Sequence, residues 1–190
     1  MHSHFTVIFD ACVFYPVHTR NILMQLATTG LFRARWTDEI HEEWIRNLAI
    51  NRPDIGQDKL NLMRSQMDRA VPDSLVTGYE PLIDGLNLPD PDDRHVLAAA
   101  IRCHAAVIVT TNLKDFPDEL LEPLGVIAQH PDIFITDLID LDSGAVCKSV
   151  KTIRARQKNP PVSPEGQLEI LKGQGLLETV SELQEFIDLI

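Results

Sequence analysis

Short apolar runs alternate with amphipathic stretches over the first two thirds of the chain, and amphipathic stretches alone follow. Phe5-Thr6-Val7-Ile8-Phe9 is β-branched and aromatic without polar alternation, the pattern of a strand covered on both faces of a parallel sheet. After a turn over Asp10–Tyr15, Pro16 opens a helical stripe of Ile22, Leu23, Leu26 and Ala27 that ends near Gly30. Phe32–Trp36 reads as a second strand. Thr37 is suited to cap a helix over 38–49, with Asp38 and Glu39 complementing its dipole and Ile40, Trp44 and Leu48 on its core face. Pro53 opens a further helix carrying Leu60, Met63, Met67 and Ala70, and Leu75-Val76-Thr77 reads as a short third strand. A loop over 81–91 follows, then a helix from Pro91 to Cys103, a strand over 106–110, a turn over 111–117 and a last strand at Val126-Ile127-Ala128.

Strands alternating with helices predict an α/β fold: a central parallel sheet with helices on both faces, in an α/β/α sandwich. Right-handed crossovers then gather the functional loops at the carboxyl ends of the strands. From Pro131 the strand signal is gone, and helices are expected over 131–140, 142–157, 163–173 and 177–189. Asn159-Pro160-Pro161 separates two of them, and Ser163-Pro164-Glu165 is a strong helix start. The expected organisation is an α/β domain over 1–130 and an α-helical C-terminal extension over 131–190.

Composition narrows the classes. With 190 residues, 44% hydrophobic and 24% charged, the chain can bury an ordinary core, and nothing in it has the composition of a disordered segment. No apolar run reaches the ~18–20 residues that span a bilayer. Met1-His2-Ser3-His4 lacks the basic and apolar regions of a signal peptide, so the expected compartment is the cytoplasm, with no membrane association. Cys12, Cys103 and Cys147 are odd in number and contain no CxxC pair, which argues for reduced thiols and against a disulfide framework or structural zinc. A net charge of −11 excludes binding nucleic acid by overall charge, so any such contact needs local cations. Lys148, Lys151, Arg154, Arg156 and Lys158 form one basic segment, either a solvated helix face or a phosphate contact; Arg20, Arg33 and Arg35 are further candidates.

The candidate chemistry lies in carboxylates. In Asp90-Pro91-Asp92-Asp93, Asp93 leads the stripe Val96, Leu97 and Ala100 and so faces the core, whereas Asp92 lies about 100° away around the helix. Asp92 and Asp90 suit helix capping or an outer-shell role. Glu43 shares the face of Ile40 and Trp44, where an unpaired carboxylate is costly; Glu42 points outward, able to pair with Arg46. Asp10 ends the first buried strand, and Asp115 follows the strand after the Asp93 helix. Each alone could be a cap or turn residue. Together, Asp10, Glu43, Asp93 and Asp115 fall where a parallel topology converges, and such a cluster repels itself unless a cation sits among them.

In these segments the chain resembles the PIN-domain ribonucleases, specifically the VapC-like toxins of toxin–antitoxin pairs. The resemblance rests on Val7-Ile8-Phe9-Asp10-Ala11, Trp36–Trp44, Asp90–Ala100 and Val109–Phe116 in order, and on a tail like that of one VapC-like subgroup. It implies a PIN-like fold and a metal-dependent endoribonuclease using Mg²⁺ or Mn²⁺, with Asp10, Glu43 and Asp93 matching the family's acidic residues. Many relatives carry Asp where this chain has Asn112, so the fourth position is either Asp115 or Asn112 as a neutral ligand. RNA as substrate, a cognate protein antitoxin as partner, and products with 5′-phosphate and 3′-hydroxyl ends are also implied; a homodimer is compatible. Two other classes compete. A haloacid-dehalogenase-like phosphatase also uses an Asp after the first strand, but Asp10-Ala11-Cys12 lacks the second Asp of its DxD element. A non-catalytic module of the same fold would account for Asn112.

Overall fold

The computed structural model describes residues 5–190, so Met1-His2-Ser3-His4 lies outside the described residues. In chain order the elements are β1 (Thr6–Phe9), α1 (Ala11–Phe14), α2 (Val17–Ala27), β2 (Arg33–Arg35), α3 (Asp38–Asn51), α4 (Gln57–Ala70), α5 (Glu80–Ile83), α6 (Arg94–Arg102), β3 (Val107–Val109), α7 (Asp118–Leu121), β4 (Ile127–Gln129), α8 (Pro131–Arg156), α9 (Pro164–Lys172) and α10 (Leu177–Gln184). They form two compact units: the residues up to Tyr15 with Phe32–His130, and Pro16–Leu31 with Pro131–Ile190.

The first unit holds a four-stranded, wholly parallel sheet in the order β2-β1-β3-β4. Val7, Ile8 and Phe9 have no solvent exposure, as the unbroken apolar run predicts. The chain leaves β1 toward β2 on one side and later returns to β3 on the other, so the strand order reverses between β1 and β3. That reversal opens a crevice at their carboxyl ends. Asp10 and Thr110 are the residues that follow these two strands, and the Asp10 amide donates to Val109 O at 3.1 Å. Thr37 caps α3 as expected, its side chain accepting from the Ile40 amide at 3.0 Å.

Three local expectations are corrected. Leu75–Thr77 contributes one parallel bridge, Leu75 to Trp36, rather than a strand, because Asp73 and Gly78 on either side turn at positive φ. Residues 81–91 are not wholly loop: Pro81 sits in the first turn of the short helix α5, where its missing N–H costs nothing. Finally, α4 starts at Gln57 rather than at Pro53, after an extended Gly56.

In the second unit, α8 packs against α2, α9 and α10. Ile22, Leu23 and Leu26 of α2 are buried, as are Phe134, Ile135, Leu138, Val146 and Val150 of α8. The break expected near 141 is a kink at Asp142 (φ −158°, ψ 85°), whose side chain accepts from the Ala145 amide at 2.9 Å and so restarts the helix. Ser163 caps α9 through the Gly166 amide at 3.1 Å. Among the described residues no helix is long and apolar enough to cross a membrane.

Candidate active site

Asp10 is 4% exposed and receives hydrogen bonds on Oδ2 from the Thr110 hydroxyl (2.7 Å) and the Cys12 thiol (3.0 Å). Burial raises its pKa, the two hydrogen bonds oppose the rise, and Glu43 adds to it. The thiol is pushed up to about 12, by burial first and then by Asp10, so Cys12 acts as a donor and not as a nucleophile. Thr110 also accepts from the Asn112 amide at 2.9 Å, which sets the start of the turn carrying Asp115.

Asp93 stands where a 3₁₀ turn, Pro91–Asp93, passes into α6. Its pKa is raised to about 7, by burial first and then by the charges of Asp10, Asp90, Asp115 and Glu43. Its Oδ2 is shielded from solvent and has no hydrogen-bond partner. Asp90, Asp93 and Asp115 each offer a carboxylate oxygen within 4.8 Å of the other two. Asp115 is buried, and one of its oxygens accepts from the Asn112 side-chain amide. Asp90 accepts from the Asp92 amide at 2.9 Å, so it caps the turn as expected while also standing beside Asp93. Asp92 is exposed on the cleft wall.

Glu43 reaches the site from α3 and lies 3.6 Å from His95 Nε2; Glu39 lies 3.7 Å from His95 Nδ1. Burial works against a charge on His95, but these two carboxylates outweigh it and raise its pKa. The rotation of α3 is fixed by a buried polar chain. Trp44 Nε1 donates to His41 Nδ1 at 2.9 Å, and His41 Nε2 and Trp36 Nε1 each lie 2.9 Å from Asp68 Oδ1. An indole only donates, so the proton of a neutral His41 is on Nε2, facing Asp68. Burial lowers the His41 pKa, in keeping with that neutral form.

The cleft in front of these groups has a volume of about 580 Å³ and is lined by Glu39, Glu42, Glu43, Arg46, Ile83, Asp90, Pro91, Asp92, Asp93, His95 and Asn112. All its anionic ligand atoms are oxygens, the hard donors that suit Mg²⁺ or Mn²⁺. The unpartnered Asp93 Oδ2 is what such a cation would satisfy.

The structure places Asp10, Glu43 and Asp115 near enough to Asp93 for each charge to act on it, and Asp90, the expected cap, stands beside Asp93 as well. Phase was a blunt guide because α6 is buried nearly all round, His95 through Ala100. It therefore missed His95, and it missed Thr110 and Cys12, although Thr110 follows a buried strand directly and was open to the same argument as Asp10. Two of the basic candidates are corrected. Arg20 is 8% exposed, buried in the second unit. Arg154 directs its guanidinium to the carbonyls of Val162 (3.0 Å) and Ile190 (3.1 Å). Lys148, Lys151, Arg156, Lys158 and Arg33 are exposed.

Comparison with known proteins identifies the family. A PIN-domain family model matches residues 6–114, and a model of the VapC50 C-terminal domain matches residues 131–185. The protein named "Putative ribonuclease VapC50" of Mycobacterium tuberculosis is 41% identical over 114 residues, covering 58% of this chain and 67% of that one. No solved structure matches significantly.

Proposed function

Since this chain belongs to the PIN-domain family and carries a C-terminal domain of the VapC50 type, we propose that it is a metal-dependent endoribonuclease, the toxin of a toxin–antitoxin pair. The observation that carries this reading is Asp93: a carboxylate ringed by four others, its inner oxygen unmatched by any donor. Residues 1–130 are the nuclease domain in this reading and 131–190 its helical extension, with RNA as substrate and a protein antitoxin as partner, in the cytoplasm.

Asp10 and Asp93 would hold the principal Mg²⁺ or Mn²⁺, and Asp115, which accepts from Asn112, would complete the set with Asp90 beside it. Such an ion, when bound, would supply Lewis acidity toward water and the scissile phosphodiester. Thr110 and Cys12 hold the Asp10 carboxylate in one orientation, as outer-shell donors do for ligating carboxylates. Glu43 would orient or deprotonate the attacking water, and His95 beside it offsets the crowding of negative charge. Asn112 is accounted for as the residue that orients Asp115, which removes the main support for a non-catalytic module. Cleavage of RNA by the wild type in Mg²⁺ or Mn²⁺, absent from Asp93→Asn, is the expected result. Equal cleavage by Asp93→Asn would overturn the mechanism. Growth arrest on expression that is lost with Asp10→Ala tests the toxin role.

A further inference from the structure

We propose that Arg46 is a phosphate subsite: its guanidinium binds a backbone phosphate of single-stranded RNA next to the scissile one. This rests on the nuclease reading above. Six carboxylate side chains line the cleft, those of Glu39, Glu42, Glu43, Asp90, Asp92 and Asp93, and Arg46 is the one Lys or Arg among the lining residues. An RNA strand entering such a cleft carries a charge on every phosphate. Metal-bound carboxylates serve the reacting phosphate, and a flanking phosphate needs a cation of its own.

Arg46 is placed and unspent for that task. The pairing with Glu42 that i,i+4 spacing allows does not form: among the described residues neither side chain makes an ion pair or hydrogen bond, although both line the cleft. Arg46 follows Glu43 by three residues on α3, so it lies about 60° around the helix and about 4.5 Å farther along it. The Trp44–His41–Asp68 chain fixes the rotation of α3 and with it both neighbours. A planar guanidinium offers two parallel donors to phosphate, which a lysine ammonium does not.

The test uses a fluorescein-labelled single-stranded RNA of mixed sequence. Its affinity is measured by anisotropy across a salt series, in full-length Asp93→Asn protein so that the RNA stays intact. Adding Arg46→Gln should weaken binding by roughly 3- to 10-fold and lower the salt slope by about 0.7, with Arg46→Lys intermediate and Arg46→Glu weaker still. In the Asp93 background, KM should rise more than kcat falls. Affinity within twofold and an unchanged slope for both Arg46→Gln and Arg46→Glu would overturn the subsite. Cleavage without dependence on Arg46 sinks the subsite alone. Arg46-dependent binding by a wild type that never cleaves RNA sinks the nuclease reading and leaves the subsite standing.

Discussion

Asp132 in the helical unit and Asp93 in the α/β unit are both carboxylates at the start of a helix, and their surroundings are opposite. Asp132 accepts the amides of Glu178 (2.9 Å) and Thr179 (2.8 Å), and its carbonyl accepts the Thr179 hydroxyl at 3.1 Å. It thereby caps α10, a helix that begins 45 residues after it in sequence. Asp93 is surrounded instead by Asp10, Asp90, Asp115 and Glu43, and its Oδ2 meets no donor. A carboxylate that holds a fold together is placed among N–H groups. One placed among other carboxylates costs stability in the free protein, and its neighbourhood makes sense once a cation is added.

Exchanging the two roles gives the largest expected effects. Asp93→Asn and Glu43→Gln should each lower RNA cleavage by on the order of a hundredfold or more, with the fold intact by circular dichroism. Asp132→Ala should do the reverse, lowering unfolding free energy by about 2 kcal/mol through loss of charge-assisted bonds to the buried Thr179 amide and the part-buried Glu178 amide. Its cleavage rate per folded molecule should match the wild type. Loss of activity in Asp132→Ala beyond its loss of folded protein would erase the contrast.

A smaller effect reads the same contrast through pH in metal-free protein. The Asp93 pKa is about 7 in the folded chain, against an ordinary value of 3.8. Below about pH 4 the carboxyl is protonated in both states and imposes no cost. Between 4 and 7 the folded state holds the proton that the unfolded state has released, so this group's contribution falls as pH rises and levels off above 7. Asp93→Asn should therefore melt at a higher temperature than wild type at pH 8, with the gap closing toward pH 4. Mg²⁺ should stabilise wild type more than Asp93→Asn, since binding to the folded state adds to stability. A wild type that melts higher than Asp93→Asn at pH 8 without metal would mean that the carboxylates are not in conflict.

The fold was legible where one signal decided each element. Unbroken apolar runs marked β1 and β3, Thr37 marked the start of α3, and the kink at Asp142 fell at the break between two expected helices. The site was legible in its charged residues, because burying a carboxylate needs a reason that sequence spacing can expose. Its neutral and supporting members were not. Thr110 meets Asp10 from the neighbouring strand, Cys12 meets both of them through its thiol, and Asn112 contacts Asp115 through its side-chain amide. Asp90 was expected to cap the helix and does cap the 3₁₀ turn, but its closeness to Asp93 and Asp115 was not legible in the spacing. Arg20 and Arg154 were misjudged because a positive charge in sequence does not say whether carbonyls or burial have claimed it.

The smallest effect asks whether the helical unit contributes anything besides structure. Lys148 and Lys151 are one turn apart on α8 and exposed, with no acidic residue between Lys148 and Lys158. If they only solvate the helix, Lys148→Gln/Lys151→Gln leaves RNA affinity and its salt dependence untouched. If each meets a phosphate, the affinity falls severalfold and the salt slope drops by about 1.4, at about 0.7 per contact on a single strand. The second outcome is expected, because an acidic chain of net charge −11 binds a polyanion only through such local groups. Neither lysine is buried, so the melting temperature should not move, and a change in slope without a change in stability would separate RNA contact from folding.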